Sequence, residues 1–179
     1  MLGVVFKGLS EGSSSLNDII SGDFAEEDQI QLYDRDSGYR VYSYYNGSWV
    51  DGDFNPLTFP VEPGTAFWLV TPGRTVTVTL KGAIPTGDYR YESRSGLQMV
   101  SPHIPVALDL NNGVKWGGAL TENDEIQVRV GNSYRVFPYY DGKWVDGNFM
   151  PLTEKIPVGT SIWLKTQNAG VTMTVQGIQ

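Results

Sequence analysis

The residue best suited to chemistry in this chain is His103, its only histidine. An imidazole titrates near neutral pH and could act as a general base beside a serine and a carboxylate. No serine here carries a recognisable nucleophile motif, and His103 sits in Pro102-His103-Ile104-Pro105, which reads as loop. Carboxylates offer a second route. Asp34, Asp36 and Gly38 match half of a calcium loop, but the closing bidentate glutamate does not follow, and Val130 and Asn132 stand at the repeated position. Asp51-Gly52-Asp53 returns as Asp146-Gly147-Asn148, so Asp51 and Asp146 could hold a cation, although Asp-Gly more often shapes a turn. A hydrolytic pair needs two carboxyls about 5–9 Å apart across a cleft, which spacing along the chain does not specify. There is no cysteine, which removes thiol nucleophiles, disulfides and thiolate metal sites. The expectation is a protein that is not an enzyme and has no cofactor and no metal.

Binding chemistry has better candidates. Trp68 and Trp163 lie on strands where Thr65, Phe67 and Leu69, or Thr160, Ile162 and Leu164, share the other face. Lys165 is on Trp163's face, and lysine is rarely buried, so that face is expected to be partly exposed. Trp68 and Trp163 become contact candidates; the competing reading is that they cover the mouth of their own unit or the junction between units. Arg40 and Arg135 share a hairpin face with Tyr42, Tyr44, Phe137 and Tyr139. Arginine beside aromatic rings makes a recognition surface. The plainer reading is a solvated face on which arginine covers a ring and pairs with an acid. Asn46-Gly47-Ser48 formally fits a glycosylation acceptor, but its repeat is Asp141-Gly142-Lys143, so a turn is the shared property.

These residues are positioned by one block written twice. Tyr39–Phe54 reads YRVYSYYNGSWVDGDF and Tyr134–Phe149 reads YRVFPYYDGKWVDGNF. Each alternates, turns on Asn-Gly or Asp-Gly, and runs into a tryptophan, which specifies a β-hairpin with a type I′ turn. Between 39–69 and 134–164, 18 of 31 positions are identical, too many for chance, so one plan was copied within the chain. The displacement is 95 residues, and the match extends upstream to Leu16-Asn17 with Leu110-Asn111. Two units are expected, 1–83 and 96–179, joined by a linker at 84–95. Each reads as about six strands. The first is Gly3–Phe6 or Leu97–Ser101, and the last is Thr75–Leu80 or Val171–Gln176. A polar connector, Ser13–Phe24 or Asp109–Leu120, leaves room for one helical turn. The fold class is all-β: two tandem small barrels or sandwiches, since strands with one apolar face must close or stack.

The motifs resemble repeats of bacterial secreted and surface proteins, which run Gly-Trp-Asn-Leu, then Gly-Asp-x-Ile, then Pro-Gly-x-Gly-Phe-Trp. The matching stretches are Gly96–Pro102, Leu110-Asn111, Asn123–Ile126 and Val61–Trp68. Leu97-Gln98 replaces the opening Trp-Asn. The resemblance implies a small all-β module in extracellular or assembled structures and carries no activity.

Formal charge is −7 with no Lys/Arg cluster, so nucleic acid is not an expected partner. No apolar run approaches the roughly 18 residues of a membrane span. MLGVVFKGLSEG does not read as a signal peptide, and the chain reads as short and complete. The expected role is a structural or decoration subunit of a large assembly, a virion capsid or tail before others, oligomeric there and in contact with other protein subunits. The alternative is a carbohydrate-binding module, secreted or at the cell surface, with Trp68, Trp163, Tyr44 and Tyr139 as stacking platforms.

Overall fold

Asn46-Gly47 and Asp141-Gly142 turn the chain as their types require. Asn46 and Asp141 both have φ of 46°, and the glycines that follow have 83° and 77°, the left-handed pair of a type I′ turn. The structure is a computed structural model that describes residues 2–3, 14–34, 37–62, 64–84 and 86–177. Asp36 and the strand expected over residues 4–6 lie outside the described residues.

The first half contains β1 (Leu2–Gly3), α1 (Leu16–Ile19), β2 (Ile20–Gly22), β3 (Gln29–Asp34), β4 (Gly38–Tyr45), β5 (Ser48–Val50), β6 (Ala66–Val70) and β7 (Val78–Leu80). The second contains β8 (Tyr89–Glu92), β9 (Gly96–Val100), β10 (Val114–Gly117), β11 (Glu125–Val130), β12 (Ser133–Tyr140), β13 (Lys143–Trp144), β14 (Ile162–Thr166) and β15 (Thr172–Val175). The protein is all-β, with α1 a single turn held at its start by Asp18, whose carboxylate accepts from the Ser15 N–H and hydroxyl.

Two five-stranded antiparallel sheets share one strand order, β1-β6-β3-β4-β5 and β9-β14-β11-β12-β13. Ile30 faces Tyr42 and Leu69 across its neighbours, and Ile126 faces Phe137 and Leu164. A smaller sheet accompanies each: β2-β7 in the first half and β10-β15-β8 in the second. The cores lie between large and small sheet. Leu16, Ile19, Ile30, Trp49 and Phe67 fill the first, and Val100, Leu110, Ile126, Trp144, Ile162 and Met173 the second. Among the described residues no sheet closes on itself, so the barrel form of the expectation gives way to stacked sheets. No helix is long and apolar enough to cross a membrane among those residues.

Two readings need correction. The span 84–95 was expected to be linker, but it holds β8, whose Tyr89 is buried in the second core. The polar connectors hold β2 and β10, short strands with too few residues to show an alternation.

Each hairpin is tied to its connector by one amide. Asn17 accepts from the Trp49 N–H at 2.7 Å and donates to the carbonyls of Trp49 and Leu57. Asn111 does the same with Trp144 and Leu152. The buried tryptophans are thereby fixed in depth, and they set which hairpin face turns inward.

Candidate functional site

The second hairpin arm leads into a short loop built the same way in both halves. Asp51 Oδ1 accepts from the N–H groups of Asp53 and Asn55, both at 2.9 Å, and Asp146 Oδ1 from those of Asn148 and Met150 at 2.8 and 3.0 Å. The backbone then closes, Phe54 N–H onto the Asp51 carbonyl and Phe149 N–H onto that of Asp146. The Asn55 N–H holds the Asp51 carboxyl below its usual pKa, because donors to the charged form favour it. These aspartates therefore shape the loop. Among the described residues no group of three His, Asp or Glu side chains is placed to hold a metal.

The product of the loop is an aromatic residue in an unusual conformation. Phe54 has φ of 62° and Phe149 of 59°, in the left-handed region that bulky residues avoid. Both are exposed, at 65% and 63%. Each ring rests edge-on against the tyrosine that ends the first hairpin arm, Tyr45 of β4 at 5.1 Å and Tyr140 of β12 at 5.4 Å. The molecule thus carries two similar aromatic knobs on hydrogen-bonded loops, with Met150 exposed beside the second.

The residues chosen from sequence lie elsewhere. Trp163 is only 5% exposed, contrary to the expectation drawn from Lys165. Lys165 reaches out to Glu125, and its hydrogen bond keeps the Glu125 carboxyl below its ordinary pKa. Trp163 is covered by Tyr33 of the other half, centroids 5.0 Å apart. Trp68 is half-buried under Arg129, whose guanidinium stands 5.0 Å over the ring, and meets Tyr134 edge-on. Partial burial raises the Tyr39 pKa, against an opposing effect of Trp68. Both tryptophans serve the junction between the halves.

Tyr44 and Tyr139 face the cores. Their register partners are Trp49 and Trp144, buried to 1%, with rings 5.1 and 5.2 Å away. Arg40 is exposed and pairs with Asp34 at 3.6 Å. It lines a cleft of about 340 Å³ with Tyr42, Phe59 and Met99. Arg135 pairs with Glu154 and lies 5.1 Å over Phe137. His103 meets Tyr89 edge-on at 4.7 Å, and burial lowers its pKa.

Sequence reasoning passed over Tyr45, Phe54, Tyr140 and Phe149. A signal was present, because Trp-Val-Asp-Gly-x-Phe occurs in both copies, but Asp-Gly accounted for the loop and left its aromatic unexamined.

No family model, curated protein or solved structure matches this chain.

Proposed function

We propose that the chain is a non-enzymatic structural or decoration subunit of a large assembly, of the kind found on a virion capsid or tail, and that it docks through the Phe54 and Phe149 knobs. The observation that supports this reading is the pair of left-handed, exposed phenylalanines. A non-glycine residue in that region costs about 1–2 kcal/mol. A ring left in water recovers little of that by burial. A glycine would make the same loop without the cost, yet both copies have phenylalanine. A second surface that buries the rings would explain the choice. Two similar knobs on one chain also suit a surface that repeats, since a second contact made by a tethered group adds avidity without new chemistry.

The knobs also support a second reading, carbohydrate binding, because each exposed phenylalanine is flanked along the chain by amide or carboxylate residues, Asp53 and Asn55 or Asn148. Trp68 and Trp163 no longer serve as its platforms. The two readings separate in one experiment. The wild-type chain and the double variant Phe54→Gly, Phe149→Gly are compared for incorporation into particles purified from the source and for binding on a glycan array. Loss of incorporation with a blank array supports the assembly. Glycan binding that the variant loses supports the other reading, and incorporation unchanged in the variant overturns the first.

A further inference from the structure

We propose that the outer edge of β7 is a strand-acceptor site for an extended segment of another polypeptide that carries aromatic residues at alternate positions. The inference stands on strand pairing and is independent of the assembly reading.

The second half shows the site filled. There β15 has β10 on one side and β8 on the other, with Met173 opposite Tyr91 and Val175 opposite Tyr89. Displaced by 95 residues, Val175 becomes Leu80 and Met173 becomes Val78. The inner pairing agrees, since Val114 opposite Val175 corresponds to Ile20 opposite Leu80. The pairing of β15 with β8 is not repeated at β7, for among the described residues no strand pairs with the outer edge of β7.

That edge has what an added strand needs. The Thr77 N–H donates to Asp23 and the Lys81 N–H to the Ile19 carbonyl, so these residues face β2. In an antiparallel strand the intervening residues direct their backbone groups the other way, which turns Val76, Val78 and Leu80 outward. In the second half the Ser93 N–H donates to the carbonyl of Val171, the equivalent of Val76. Side chains point to the same conclusion. Val171, Met173 and Val175 are exposed by only 1%, 0% and 3%, whereas Val76, Val78 and Leu80 are half-buried. Tyr89 and Tyr91 supply the cover in the second half, Tyr89 buried and Tyr91 packed against the core. An incoming segment with tyrosine or a similar ring opposite Leu80 and Val78 would supply it in the first. Main-chain bonds would give the affinity and the alternate rings the selectivity.

The test uses the full chain and a labelled synthetic peptide with the sequence of residues 86–95, read by fluorescence anisotropy. Saturable binding of one peptide per chain is expected. Replacing both peptide tyrosines by serine should weaken it at least tenfold, as should Val78→Pro, which an edge strand tolerates when its N–H faces solvent. Amide exchange provides a second readout if that variant folds poorly: bound peptide should protect Val78 and Leu80. Absence of saturable binding overturns the proposal. So does binding that leaves Val78 and Leu80 unprotected, which would place the peptide at β15 by exchange with β8. Self-association of the chain without peptide, abolished by Val78→Pro, overturns it in favour of a second copy as the occupant.

Discussion

Tyr33 meets Trp163 edge-on with 5.0 Å between ring centroids, and this contact joins the two halves of the chain. By the upstream alignment Tyr33 corresponds to Arg129, which lies over Trp68. Each half therefore offers a tryptophan and receives a cover from the other, once as a phenol ring and once as a guanidinium. An edge-to-face pair contributes roughly 0.5–1.5 kcal/mol beyond its buried area. A double-mutant cycle with Tyr33→Ala and Trp163→Ala, read by denaturant unfolding, should give a coupling of about 1 kcal/mol. Strict additivity would remove the contact as a link between the halves.

The junction also shows where the sequence stops being informative. Alternation along Ile162–Lys165 separates two faces correctly, but it cannot say that a different part of the chain covers the second one. Lys165 misled because its long stem lets the ammonium reach Glu125 while its neighbours are buried. Asn-Gly, Asp-Gly and the alternating Tyr/Val arms were legible because local geometry alone decides them. So was the all-β class. Phe54 and Phe149 were not, since their left-handed backbone arises from two N–H groups closing on an aspartate. β8 was hidden because its partner, β15, lies 80 residues further along the chain.

Asn111 satisfies one amide N–H and two carbonyls from a single side chain. Asn111→Ala leaves all three without that partner and should cost roughly 2–4 kcal/mol. Asn111→Asp keeps an acceptor for the Trp144 N–H but sets a charge against two carbonyls, so it should not rescue. Chemical denaturation of the three proteins measures this. A loss under about 0.5 kcal/mol for alanine, the range of an ordinary surface change, would mean that water replaces the amide.

Asp28 and Asp124 are both buried, yet they are satisfied differently. Asp124 accepts from the N–H of Gln167, and the equivalent residue in the first half is Pro72, which has none to give. Arg74 supplies a donor to Asp28 instead. Arg74→Ala should therefore destabilise the first half by about 3 kcal/mol, near the lower end for breaking a buried pair because Arg74 is partly exposed. Adding Pro72→Ala restores an N–H and should recover part of the loss. No recovery in thermal or denaturant unfolding would show that the proline is unrelated to the arginine.

Burial raises the pKa of Tyr89 well above that of a free phenol, with the neighbouring Tyr91 adding to it. The neutral form is the one the fold accepts. Stability is unaffected below the unfolded value of about 10 and falls as pH rises above it, by up to about 1.4 kcal/mol per unit. Tyr89→Phe should flatten this alkaline loss while changing little at pH 7. Tyrosinate absorbance and unfolding followed between pH 8 and 12 give the comparison. An identical alkaline profile in the variant would assign the loss to other groups.

Phe54→Gly separates folding from docking. Glycine removes the left-handed strain of about 1–2 kcal/mol and forfeits an edge-on contact with Tyr45 worth roughly 0.5–1.5 kcal/mol. These terms nearly cancel, so the unfolding free energy should move by less than about 1 kcal/mol. The same holds at Phe149 with Tyr140. A residue present for stability would show a clear loss when removed, whereas one present for contact would show unchanged stability and weakened attachment to its partner surface. A loss above about 2 kcal/mol in either single variant would place the ring among the residues that hold the fold, and the docking role would then need another surface.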